Sequence, residues 1–81
     1  MQINKLEEYI ETGRELEFNF NGKKYSLTYG HVDSEEIISF CEFDKPSVEV
    51  RNIDQLLGIN YNGQPFCEIW ENLREEDLWI F

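Results

Sequence analysis

The stretch ELEFNFNGKKYSLTY (Glu15–Tyr29) limits the possible fold more than any other part of the chain. Leu16, Phe18 and Phe20 alternate with Glu15, Glu17 and Asn19 before Asn21-Gly22; Tyr25, Leu27 and Tyr29 alternate with Lys24, Ser26 and Thr28 after it. Asn-Gly is the favoured pair for a two-residue hairpin turn, because both positions need positive φ. A turn at 21–22 sets Phe20 opposite Lys23, Phe18 opposite Tyr25 and Leu16 opposite Leu27. The apolar side chains then share one face, while Glu17 faces Ser26 and Asn19 faces Lys24 on the other. A sheet with one greasy face must be covered there, so the rest of the chain has to supply the cover.

Two segments carry the helical stripe this needs. In NKLEEYIETG, Leu6, Tyr9 and Ile10 fall on one side and Glu7, Glu8 and Glu11 on the other, with Asn4 as expected N-cap, Glu7 at N3 and Gly13 as the left-handed stop. Near the other end, Pro65 suits the first position of a helix. Phe66, Ile69, Trp70 and Leu73 then recur at i, i+3, i+4 and i+7, with Glu68, Glu71 and Glu75 on the opposite side.

Between them, GHVDSE reads as a loop and EEIISFCEF as a third strand, apolar on both faces and so central or covered by the tail. Asp44-Lys45-Pro46 turns the chain, and SVEV alternates briefly as a fourth strand. Asn52 caps a short helical turn with Gln55 at N3, Leu56 and Leu57 inside and Gly58 as stop. Tyr61–Gln64 forms a second turn. Leu78–Phe81 fits either a helical turn or a short edge strand that seals the core. The expected fold is α+β: one domain over residues 1–81, an antiparallel sheet of three to four strands with the N-terminal and C-terminal helices packed on one face.

Composition narrows the function classes. At 41% hydrophobic and 15% aromatic the chain is too apolar for disorder, despite a net charge of −10. It has no stretch of about 18 apolar residues, so no membrane span is expected. MQINKLEEYIE lacks the basic start and apolar run of a signal peptide, which points to the cytoplasm. Seventeen acids against seven bases leave few cations to neutralise phosphates, which argues against direct nucleic-acid or anionic-membrane binding. The expected state is a monomer or small homo-oligomer.

Catalytic motifs are absent from the sequence. His31 is the only histidine, and its neighbours Asp33, Glu35 and Glu36 match no zinc or calcium spacing. Cys41 and Cys67 match no metal or redox spacing and read as reduced thiols that pack as small apolar side chains. No glycine-rich phosphate loop or nucleophile elbow occurs. No catalytic, cofactor or metal residue is therefore assigned, and an enzyme centred on His31 or Cys41 ranks third among the readings.

The order helix, three strands, helix resembles double-stranded-RNA-binding domains, but those grip phosphates with basic side chains, and here the last helix shows glutamates. The leading expectation is a non-enzymatic protein-interaction domain of undetermined role whose partner is a protein, a basic surface on that partner being one option. Its candidate contact residues are Glu68, Glu71, Glu75, Glu76, Asp77, Trp79 and Phe81. The runner-up is an acidic nucleic-acid mimic that regulates a DNA- or RNA-binding protein, because carboxylates three or four positions apart on a helix lie about 5–6 Å from one another.

In style and order, the LEEYIETGRELEFNFNGKKYSLTYG start (Leu6–Gly30) and the NGQPFCEIWENLREEDLWIF end (Asn62–Phe81) resemble small acidic proteins of unknown function from low-GC Gram-positive bacteria and their mobile elements. That resemblance implies a bacterial cytosolic setting. It carries no activity and no binding residue.

Overall fold

The computed structural model describes all 81 residues, Met1–Phe81. Strands β1 (Leu16–Phe20) and β2 (Lys23–Val32) form the expected hairpin, with Leu16 opposite Leu27, Phe18 opposite Tyr25 and Phe20 opposite Lys23. Asn21 and Gly22 take φ of 50° and 75°, as a two-residue turn of this hand demands.

β2 does not stop at Tyr29. It continues to Val32, and β3 (Glu35–Glu42) returns antiparallel through a second tight turn at Asp33-Ser34, where φ is 51° and 69°. Gly30–Glu35 is thus a hairpin end, not the expected loop. Ser seldom adopts positive φ, so Asp-Ser does not announce this turn as Asn-Gly does. β4 (Val48–Val50) pairs with β3, and β7 (Leu78–Ile80) pairs with β1. The sheet therefore has five strands in the order β4-β3-β2-β1-β7, one more than expected, because the tail is an edge strand.

The expected first helix is α1 (Ile3–Glu11). It begins before Asn4, whose proposed capping role is not used; Gln2 occupies the N-cap without a side-chain bond. Tertiary contacts fix this entry instead. The Trp70 indole N–H donates to the Gln2 carbonyl at 2.8 Å, and the Met1 ammonium donates to the carbonyls of Trp70, Glu71 and Leu73 at 2.9, 3.0 and 3.1 Å. At the other end Gly13 takes φ of 68°, and the amides of Gly13 and Arg14 donate to Ile10 and Tyr9. This is the paired Schellman closure that a glycine stop permits.

The short helix α2 (Ile53–Leu57) is capped as expected: Asn52 Oδ1 accepts from the Gln55 amide at 2.9 Å, and Gln55 Oε1 accepts from the Arg51 amide at 2.8 Å. A miniature hairpin, β5 (Asn60–Tyr61) and β6 (Gln64–Pro65), then leads into α3 (Phe66–Asn72). Pro65 stands at the N-cap of α3 and not inside it. Leu73 leaves the helix with ψ of 137°, and Glu75–Asp77 form a separate 3-10 turn. Glu75 therefore does not extend the acidic row of Glu68 and Glu71. The helix has to stop there, because Leu78 must return to lie opposite Phe18.

The helices share one face of the sheet. Leu16, Phe18, Tyr25, Leu27, Ile38 and Phe40 point toward them and are buried together with Leu6, Leu56, Phe66, Ile69, Trp70 and Leu73. Phe40 meets Phe66 edge-on at 4.9 Å and Phe18 meets Trp70 edge-on at 6.3 Å, the geometry aromatic quadrupoles favour. Tyr61 ties the β3–β4 turn down, its hydroxyl accepting from the Glu42 amide and donating to the Pro46 carbonyl. No polar or charged residue is buried. Trp70 and Ile69 are dry while Glu71 is wet, the segregation that the sequence pattern requires.

Candidate functional site

The carboxylates proposed for partner contact lie on the surface but do not form one row. Glu68 and Glu71 project from α3, and Asn72, its side-chain amide donating to the Glu68 carbonyl, ends that helix. Glu75, Glu76 and Asp77 sit in the 3-10 turn, where Arg74 pairs with Glu76 at 3.3 Å and with Asp77 at 3.1 Å. Arg74 thus neutralises part of the densest acid cluster.

The two proposed aromatics also part from these acids. Trp79 lies opposite Glu17, so it points to the uncovered face of the sheet and not to the helix side. It is 45% exposed, and Phe81 beyond it is 60% exposed. The main chain of Phe81 is held, its amide donating to the Glu15 carbonyl at 2.8 Å and its oxygen accepting from Arg14 Nε. Leu78 alone of the tail packs against the core.

A separate cleft lies at the far end of the covered face. It encloses 420 Å³ between the last turn of α1, the ends of β2 and β3, and the β4–α2 junction. Its base is apolar: Ile38 is buried, and Ile10, Tyr29 and Ile53 are half-buried against the core. Its rim is charged. Glu7 and Glu11 come from α1, His31 and Glu36 stand directly opposite one another across β2 and β3, and Arg51 closes the third side. Tyr29 bridges to the α1–β1 loop, its hydroxyl donating to the Arg14 carbonyl at 3.0 Å. Burial, with Glu15 nearby adding to it, pushes this phenol up from 10.0 to about 12, so it stays a neutral donor.

The rim acids have no partner within the chain. The ion pairs are Lys5 with Glu8, Arg51 with Glu35, and Arg74 with Glu76 and Asp77. Arg51 pairs with Glu35 at the surface, and no ion pair holds Glu7, Glu11 or Glu36 around the apolar base.

His31 thus has a concave neighbourhood, but the structure does not bring it together with a thiol. Cys41 lies opposite Ser26 on the uncovered face, its sulfur 3.4 Å from the serine hydroxyl, whereas His31 is on the helix side. Cys41 and Cys67 are both free and half-buried; neither lies within the core. The missed residues are those of the cleft. Glu7 and Glu11 were visible only as a solvated helix face, and the partnership of His31 with Glu36 depends on the Asp33-Ser34 turn.

No helix is long and apolar enough to cross a membrane. Comparisons with protein-family models, with curated proteins and with solved structures give no match to the chain.

Proposed function

We propose that this is a cytoplasmic, non-enzymatic protein-interaction domain that engages the basic surface of a protein partner. One observation carries the reading: the carboxylates that the fold leaves unpaired include three, Glu7, Glu11 and Glu36, that line one cleft with an apolar base. A chain with charge −10 already repels other acidic surfaces, and its field accelerates encounter with basic ones. The same field disfavours a second copy of the chain as the natural occupant. A nucleic-acid mimic asks for a longer and more regular line of carboxylates than α3, which ends at Asn72, provides.

The test is capture from a bacterial lysate on the immobilised chain at low and high salt, followed by binding of each identified partner in purified form. A basic protein whose affinity falls steeply with added salt supports the reading. Partners held equally at both salt levels refute it. If the purified partner is displaced by DNA or RNA, the mimic takes its place.

A further inference from the structure

We propose that the cleft receives a lysine or arginine side chain of the partner, its aliphatic stem against Ile10, Ile38 and Ile53 and its cationic head among Glu7, Glu11 and Glu36. This rests on the reading of the protein as the acceptor of a basic partner, and it names where that recognition is concentrated.

The chemistry of the walls selects the ligand class. Long basic side chains are amphipathic, with an apolar stem and a charge that seeks the edge of whatever buries the stem. The cleft has that profile inverted: an isoleucine-rich base inside a carboxylate rim. A purely apolar ligand leaves the carboxylates without a partner, and an anion meets three of them. Arg51 is the only lysine or arginine that lines the cleft, and it pairs with Glu35.

Size and rigidity agree. At 420 Å³ the cleft falls among small-ligand sites of about 300–1,000 Å³, which leaves room for the side chain and part of the peptide that carries it. Local hydrogen bonds hold its walls. The Gly13 closure sets the end of α1, the Asn52 cap sets the start of α2, and the β2–β3 ladder sets His31 against Glu36. A preformed site loses less affinity to ordering.

The probe is acetyl-Gly-Arg-Gly-amide, with its lysine counterpart and a citrulline counterpart that keeps the stem but removes the charge. Each is titrated into the ¹⁵N-labelled full chain and followed by amide shifts. The expected result is saturable shifts centred on Gly13, His31, Glu36 and Ile53. Binding of the arginine peptide should fall about tenfold on changing Glu7, Glu11 and Glu36 to Gln, and comparably with citrulline. Glu68→Gln with Glu71→Gln should leave it unchanged. All five positions are exposed, so preserved amide dispersion verifies the fold of both variants. Non-saturating shifts spread over α3, equal binding of citrulline, or equal loss in the Glu68/Glu71 variant would each overturn the proposal. If salt-sensitive capture of a basic protein survives the Glu7/Glu11/Glu36 variant, the cleft assignment fails while the partner reading stands. If the arginine peptide binds the cleft but no basic protein is captured, the reverse holds.

Discussion

Changing Trp70 to Phe tests the packing that positions every surface described above. Trp70 is fully buried, meets Phe18 and Tyr9 edge-on and Phe66 face-on, and donates its indole N–H to Gln2 at 2.8 Å. Phenylalanine keeps one ring but empties the space of the other and removes the donor. The lost burial and residual cavity cost about 1–3 kcal/mol, and the lost hydrogen bond about 1 kcal/mol. The Gln2 carbonyl is not stranded, because it also accepts from the Lys5 amide. A total of about 2–4 kcal/mol is a large share of the roughly 4–12 kcal/mol expected for a chain of this length. At about 4–8 °C per kcal/mol, the melting temperature should fall by about 8–32 °C. Urea unfolding followed by far-ultraviolet circular dichroism should show a lower midpoint with an unchanged slope. Fluorescence gives an independent readout: with Trp70 gone, the folded variant emits only from the half-exposed Trp79 and should be red-shifted before any unfolding. A loss below about 1 kcal/mol, or emission unchanged from the parent, would refute the placement of Trp70 at the centre of the core.

Two further outcomes follow from the same packing. Acetylating the Met1 amino group removes the charge held by three carbonyls at the end of α3, and should cost about 1 kcal/mol, measured by urea unfolding and smaller at high salt. Tyr29 titrates near 12 when folded but near 10.0 when unfolded, so the unfolded state releases its proton first and binds fewer protons between those values. Stability from this group is complete below pH 10.0 and declines as pH rises toward 12. Tyr29→Phe should lose about 0.5–1.5 kcal/mol at neutral pH with the bond to Arg14, and should flatten that alkaline decline in a urea series.

The legible parts of the fold were those where one local rule sufficed. Asn21-Gly22 and the alternation around it gave the register of β1 and β2 pair by pair, and the spacing of Phe66, Ile69, Trp70 and Leu73 identified the buried side of α3. The misreadings occurred where distant contacts decide. Asn4 is a good cap in isolation, yet Trp70 and the Met1 ammonium start the helix before it. The end of α3 is set by the pairing of Leu78 with Phe18, which no spacing within residues 66–77 reveals. A helical glutamate row was therefore drawn one turn too long. The cleft was invisible for the same reason, because its walls come from α1, β2, β3 and the β4–α2 junction.

The cleft is itself a consequence of unequal strand lengths. β1 has five residues and β2 has ten, so β1 pairs only with Lys23–Leu27 and leaves Thr28–Val32 bordered on one side by β3 alone. Past Leu27 the sheet narrows while its helix-facing positions continue through Tyr29 and His31. α1 closes at Gly13 and α2 begins at Ile53, so neither helix fills the space above this overhang. The side chains there grade from buried Ile38, through half-buried Tyr29, to exposed His31 and Glu36. A gradient from grease to charge across one ledge is what an amphipathic side chain requires of its receptor. A strand extension thus does more than lengthen a hairpin: it leaves the covering layer incomplete beside the end of α1, where Glu7 and Glu11 stand on the rim of the cleft.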